Sequence, residues 1–132
     1  MIYNFSFTSQ KYVAGNTMNI ETLKLCYGVI HKLDILFPAG CAGLVLCSVH
    51  SALHQIWPSN TDEYFSSDDE VISFREHRPL LTEPYSLELW HFNTDDTYNH
   101  SITVRIGILP VNVIAPWLLS YDERIAAALG SE

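Results

Sequence analysis

The chain alternates large apolar and small polar side chains from its first residues. Tyr3, Phe5 and Phe7 fall on one side and Ile2, Asn4, Ser6 and Thr8 on the other, the period-2 pattern of a strand with an aromatic face. Residues 14–19, AGNTMN, read as a turn. From Leu23 the strand pattern resumes, with Val29, His31, Leu33, Ile35 and Phe37 on one face and Ile30, Lys32, Asp34 and Leu36 on the other. Gly28 marks a bulge or bend that splits this stretch into two strands, and Pro38-Ala39-Gly40 ends it. Residues 43–50, GLVLCSVH, form a continuous apolar run, which predicts a central strand covered on both faces. Gln55-Ile56-Trp57 follow and stop at Pro58. Residues 58–70 are a polar loop, 71–74 a short strand, and 75–84, with Pro79 and Pro84, an irregular stretch.

Two further alternating runs flank the cluster Asn93-Thr94-Asp95-Asp96-Thr97. Tyr85, Leu87 and Leu89 alternate with Ser86, Glu88 and Trp90; Ile102, Val104, Ile106 and Ile108 alternate with Thr103, Arg105, Gly107 and Leu109. This pattern predicts a hairpin with the isoleucine face turned to the core. Beyond Pro110 the period changes. Leu118, Tyr121, Ile125 and Leu129 recur at three and four residues, Pro116 suits a first helical position and Gly130 a C-cap. Seven or eight short strands without a βαβ rhythm, followed by one helix, predict an all-β fold, a mainly antiparallel β-sandwich or jelly roll. The 132 residues are one domain's worth, so the expectation is a single domain over 1–132 with a C-terminal helical segment at about 116–129.

Charge narrows the function. Fifteen acids against seven bases give a net charge of −8, and the bases are scattered singly apart from Arg75 and Arg78. Gripping phosphates needs clustered Lys and Arg, so neither nucleic acid nor an anionic membrane is an expected partner. No run reaches the roughly 18 apolar residues of a membrane helix. The start, MIYNFSFTSQ, lacks the basic head and apolar core of a signal peptide, and the three cysteines form no CxxC pair. These features predict cytoplasmic synthesis without secretion by a signal peptide, which also suits a virion component.

Candidate chemistry is sparse. His50 and His54 form HxxxH, but Ser51 stands where a zincin has its glutamate, and no third ligand follows at metal spacing. No metal site and no cofactor is expected. Cys41, in the turn PAGCAG, is the cysteine expected to be exposed. No GxSxG, P-loop or GxGxxG occurs, so no catalytic residues are assigned and the chain is read as a non-enzyme. Core is the expected place for Trp90, while Tyr64 and Phe65 stand out for lying in a polar loop.

The layout resembles the small β-sandwich proteins that decorate or cement virus capsids or build tail parts. That resemblance implies a structural subunit working through contacts with itself or other subunits of an assembly. A charged fraction of 17%, below the usual figure of about 25%, agrees with it. The candidate interface residues are Tyr3, Phe5 and Phe7 at one end of the chain and Trp117, Leu118, Leu119, Ile125 and Leu129 at the other. The alternative is a carbohydrate-binding module whose acidic loops take a ligand, with calcium as an option, through Asp62, Tyr64, Phe65, Asp68 and Asp69.

Overall fold

The alternating segments form eight strands: β1 (Ile2–Ser9), β2 (Asn19–Lys24), β3 (Gly28–Phe37), β4 (Val45–Ser51), β5 (His54–Trp57), β6 (Glu70–Leu80), β7 (Ser86–Asn93) and β8 (His100–Leu109). The computed structural model describes residues 1–111. The helix expected at 116–129, and with it Trp117, Leu118, Leu119, Ile125 and Leu129, lies outside the described residues.

The strands make two antiparallel four-stranded sheets, ordered β1-β8-β3-β6 and β2-β7-β4-β5. Among the described residues, β4 and β5 are the sole consecutive strands that pair; every other connection crosses between sheets. Eight strands wound in this order are a jelly roll.

The core lies between the sheets. Leu33, Ile35 and Phe37 of β3 and Ile102, Val104, Ile106 and Ile108 of β8 face Leu23, Val45, Cys47, Val49, Leu87 and Leu89 from the second sheet, and all are buried. Alternation put these residues on inner faces, as expected for a half-covered strand.

Three expectations need correction. The isoleucine face does turn inward, but β7 and β8 are not a hairpin. β7 pairs with β2 and β4, and β8 with β1 and β3. The six-residue connection 94–99 carries the chain across the sandwich, so Leu87 and Leu89 meet the isoleucines face to face. A polar turn between two apolar faces cannot distinguish a hairpin from a crossing. The second correction concerns β3, where the register shifts between Ile30 and Lys32 and leaves His31 as the extra residue of a bulge. Ile30 therefore joins the core, and Val29 packs with Leu81 and Val111 in a separate small cluster. Gly107 makes room for the bulge: a Cβ there would lie 2.6 Å from His31 Cε1. Third, the stretch read as irregular after Phe74 is strand as far as Leu80. Pro79 is tolerated because β6 is an edge strand, where a missing N–H costs no ladder bond.

Connections 10–18, 38–44, 58–69 and 94–99 gather at one end of the sandwich; 25–27, 52–53 and 81–85 form the other.

Candidate functional site

The two outer faces differ in chemistry. That of the first sheet is mostly polar and partly self-paired, with Ile2, Leu36 and Val71 as its apolar members. Ser6 Oγ lies 3.1 Å from Thr103 Oγ1, Arg105 Nε donates to Asn4 Oδ1 at 3.3 Å, and Lys32 sits 3.8 Å from Asp34. That of the second sheet carries Ile20 on β2, Trp90 and Phe92 on β7 and Leu46 on β4, placed side by side by the register Ile20↔Trp90↔Ser48 and Leu46↔Phe92. Tyr12, from the connection before β2, sets its edge on Phe92 at 5.8 Å between ring centroids. Ile20 is 48% exposed and Tyr12 41%, so the cluster is open to solvent at its margin.

At the centre of this face His50 stacks on Trp90 and its Nε2 lies 2.8 Å from Ser48 Oγ. A serine hydroxyl bonded to an imidazole is the geometry of an activated nucleophile. Here Ser48 has no exposed surface and His50 is 6% exposed, so a substrate carbonyl has no approach to the hydroxyl in this arrangement. Burial lowers the His50 pKa, which the Leu53 carbonyl and Glu88 partly offset. The pair holds the neutral ring flat under the indole and so shapes an apolar surface.

The sequence-predicted residues are distributed unevenly. Tyr3, Phe5 and Phe7 are half-buried on the inner side of β1, against the margin of the core. What β1 leaves open among the described residues is its outer backbone edge and the outward side chains of Ile2, Asn4, Ser6 and Thr8, with Met1 exposed before it. Phe65 pairs with Cys47 by two backbone hydrogen bonds of 2.8 and 3.0 Å and packs its ring on Phe74. By alternation its neighbour Tyr64 turns outward, and it is partly exposed.

The acidic loops do share one end of the sandwich, but their best-placed carboxylates are already engaged. Asp68 Oδ1 accepts the amides of Gly40 and Ala42 at 2.9 and 3.0 Å, bonds that lower its pKa. Asp95 is held by His100 Nε2 at 2.8 Å and the Thr97 amide at 2.8 Å, and its pKa is lowered for the same reasons. Asp62 and Asp69 sit at positive-φ turn positions, exposed. Among the described residues no three His, Cys, Asp or Glu side chains gather as a cation cage.

Cys41 is the reverse of the expectation. The turn bracketed by Asp68 points its thiol inward, where it is fully buried and burial raises its pKa; Cys26 is the partly exposed cysteine. His54 is exposed at the start of β5 while His50 is covered by Trp90, so the two do not share an environment.

Comparison with known proteins gives no matching family model and no matching curated relative.

Sequence reasoning missed the outer face of the second sheet by assigning Trp90 to the core. The signal was present. Trp90 and Phe92 have the parity of Ser86 and Glu88, so once Leu87 and Leu89 point inward, both rings must point outward.

Proposed function

We propose that this chain is a non-enzymatic structural subunit of an assembly, a virion component of the capsid-decorating, cement or tail type, acting through protein–protein contacts. Jelly rolls serve capsids and lectins alike, so the fold alone does not choose. The observation that carries the reading is the cluster of Tyr12, Ile20, Leu46, Trp90 and Phe92 on the outer face of the second sheet. Aromatic side chains are enriched at interface centres and charges depleted there.

Area limits what this face does alone. Four strands about 4.8 Å apart and six residues of about 3.3 Å make a flat footprint of roughly 400 Å². One partner in a standard interface buries about 800 Å². Exposed Tyr12 and Val13 extend the face on one side, and the free edges of β1 and β2 offer backbone pairing on another. The acidic end, with Asp62, Glu63, Asp68, Asp69, Glu70, Asp95 and Asp96 on or beside its connections, suits a position facing solvent rather than packaged nucleic acid.

Sedimentation velocity tests the reading. The wild-type chain is expected to run larger than 15 kDa at high micromolar concentration. A Tyr12→Glu, Ile20→Glu double variant is expected to shift to the monomer with an unchanged melting temperature. A wild-type monomer under those conditions overturns self-assembly through this face.

A further inference from the structure

We infer that the pocket at the end of the sandwich opposite the acidic loops binds a sugar acid, with Arg78 holding the carboxylate. This inference does not rest on the assembly reading: the pocket lies at the end of the sandwich, and only Ser86 and Glu88 of its lining share the outer face of β7 with Trp90 and Phe92.

Arg78 sits on edge strand β6 opposite Ile30, so its side chain leaves the strand on the core side, past the last core residues. It lines a cavity of about 340 Å³, within the usual range of about 300–1,000 Å³ for small-ligand sites. Arg78 Nε is buried and has no hydrogen-bond partner. A guanidinium edge withdrawn from water without an acceptor is costly, and nearly all buried polar groups have partners. Glu83 and Glu88 line the same cavity, yet neither lies within ion-pair distance of Arg78. Nε itself is out of a ligand's reach, but Arg78 lines the cavity, and the terminal N–H groups of its planar guanidinium match the two oxygens of a carboxylate.

The rest of the lining selects the class of ligand. Ser51, Thr82 and Ser86 present hydroxyls that donate to or accept from sugar hydroxyls, and the two glutamates accept from them. Two acids against one base disfavour phosphate, sulfate and other multiply charged anions most, so a singly charged, hydroxylated carboxylate seated on Arg78 is the anion that fits best. A more open groove of about 640 Å³, lined by Lys24 and Tyr85, joins the cavity at Glu83, Pro84 and Ser86. It gives a longer glycan a path past an aromatic side chain.

The rim carries backbone strain. Ala52 lines the cavity at φ 50°, and Leu53 beside it has φ 71° and is 70% exposed. Two non-glycine residues in the left-handed region make a type I′ turn that sequence would normally assign to Asn-Gly.

The test is an NMR titration of the isotope-labelled full chain with D-glucuronate and with N-acetylneuraminate, using glucose and acetate as controls. The expected result is saturable shifts at Ser51, Arg78, Thr82 and Ser86 with at least one sugar acid, and none with glucose. Arg78→Lys is expected to weaken binding roughly tenfold or more, the loss of a paired charge-assisted hydrogen bond. Thr82→Val, which leaves the guanidinium in place, is expected to weaken it severalfold and guards against a misfolded Arg78 variant. The absence of shifts at these four residues with both sugar acids overturns the proposal. Acetate binding as tightly as glucuronate also overturns it, because the site then reads only charge.

Discussion

The imidazole of His50 lies flat on the indole of Trp90, with ring centroids 3.9 Å apart and planes 10° from parallel. Burial under that ring favours the neutral imidazole and lowers its pKa below the ordinary 6.5. The unfolded chain therefore takes up a proton before the folded one does, and stability falls as pH drops through about 6.5, levelling once the lower folded value is passed. Melting temperatures from pH 8 to 5 should show this loss, and His50→Gln should flatten it. Asp68 and Asp95, whose pKa values are lowered, act in a separate window. Their contribution is present above the ordinary carboxylate value and disappears below about pH 4. A His50→Gln variant that keeps the full slope between pH 7 and 5.5 would assign the loss to another group.

Ile106 is wholly buried between the sheets, beside Leu33 of β3 and Tyr3 of β1. Ile106→Ala removes three carbons from a close-packed core and should cost about 2–4 kcal/mol. Urea denaturation at neutral pH measures it. A change near zero would place this face outside the core.

Two glycines on the same sheet should respond differently to alanine. Gly28 has φ 153°, and a Cβ there meets Ile108 Cγ2 at 2.6 Å and the Leu109 carbonyl oxygen at 2.9 Å. Neither the backbone oxygen nor the buried Ile108 can yield, so Gly28→Ala should cost about 3 kcal/mol from overpacking and strain. Gly107 meets only the His31 ring, a half-exposed side chain able to rotate, and Gly107→Ala should cost about 1 kcal/mol. The order of the two losses in denaturation is the measurement; equal losses would show that His31 is as fixed as the backbone.

The strand pattern was readable because period 2 is a local property. Leu87, Leu89, Ile102, Val104 and Ile106 declared their faces from alternation alone. Pairing is not local. Nothing in the Asn/Asp cluster at 93–97 says whether β8 returns beside β7 or crosses to the other sheet, and the crossing makes the jelly roll. The bulge at His31 also escaped, because it requires Gly107, a residue 76 positions away, to leave space. The Arg78 cavity was invisible for the same reason. Its walls come from β4, β6, β7, the turn between β4 and β5 and the connection between β6 and β7, and no short motif unites Ser51, Arg78 and Thr82.

The turn between β4 and β5 offers a test of strain. Ala52 and Leu53 both have positive φ, a region that costs an L-residue about 1–2 kcal/mol. Leu53 is 70% exposed, so its side chain recovers little of that cost by burial. Glycine adopts the same φ freely but loses more entropy on folding, roughly 0.5–1 kcal/mol. The balance predicts that Leu53→Gly stabilises the chain by about 0.5–1 kcal/mol, read as a higher urea midpoint at unchanged slope. Ala52→Asn should act in the same direction, since asparagine tolerates the left-handed region and suits the first position of a type I′ turn. Relief of strain predicts that the two gains add only in part, because one turn stores both. A lower midpoint for Leu53→Gly would mean that the exposed leucine makes a stabilising contact outweighing its backbone strain.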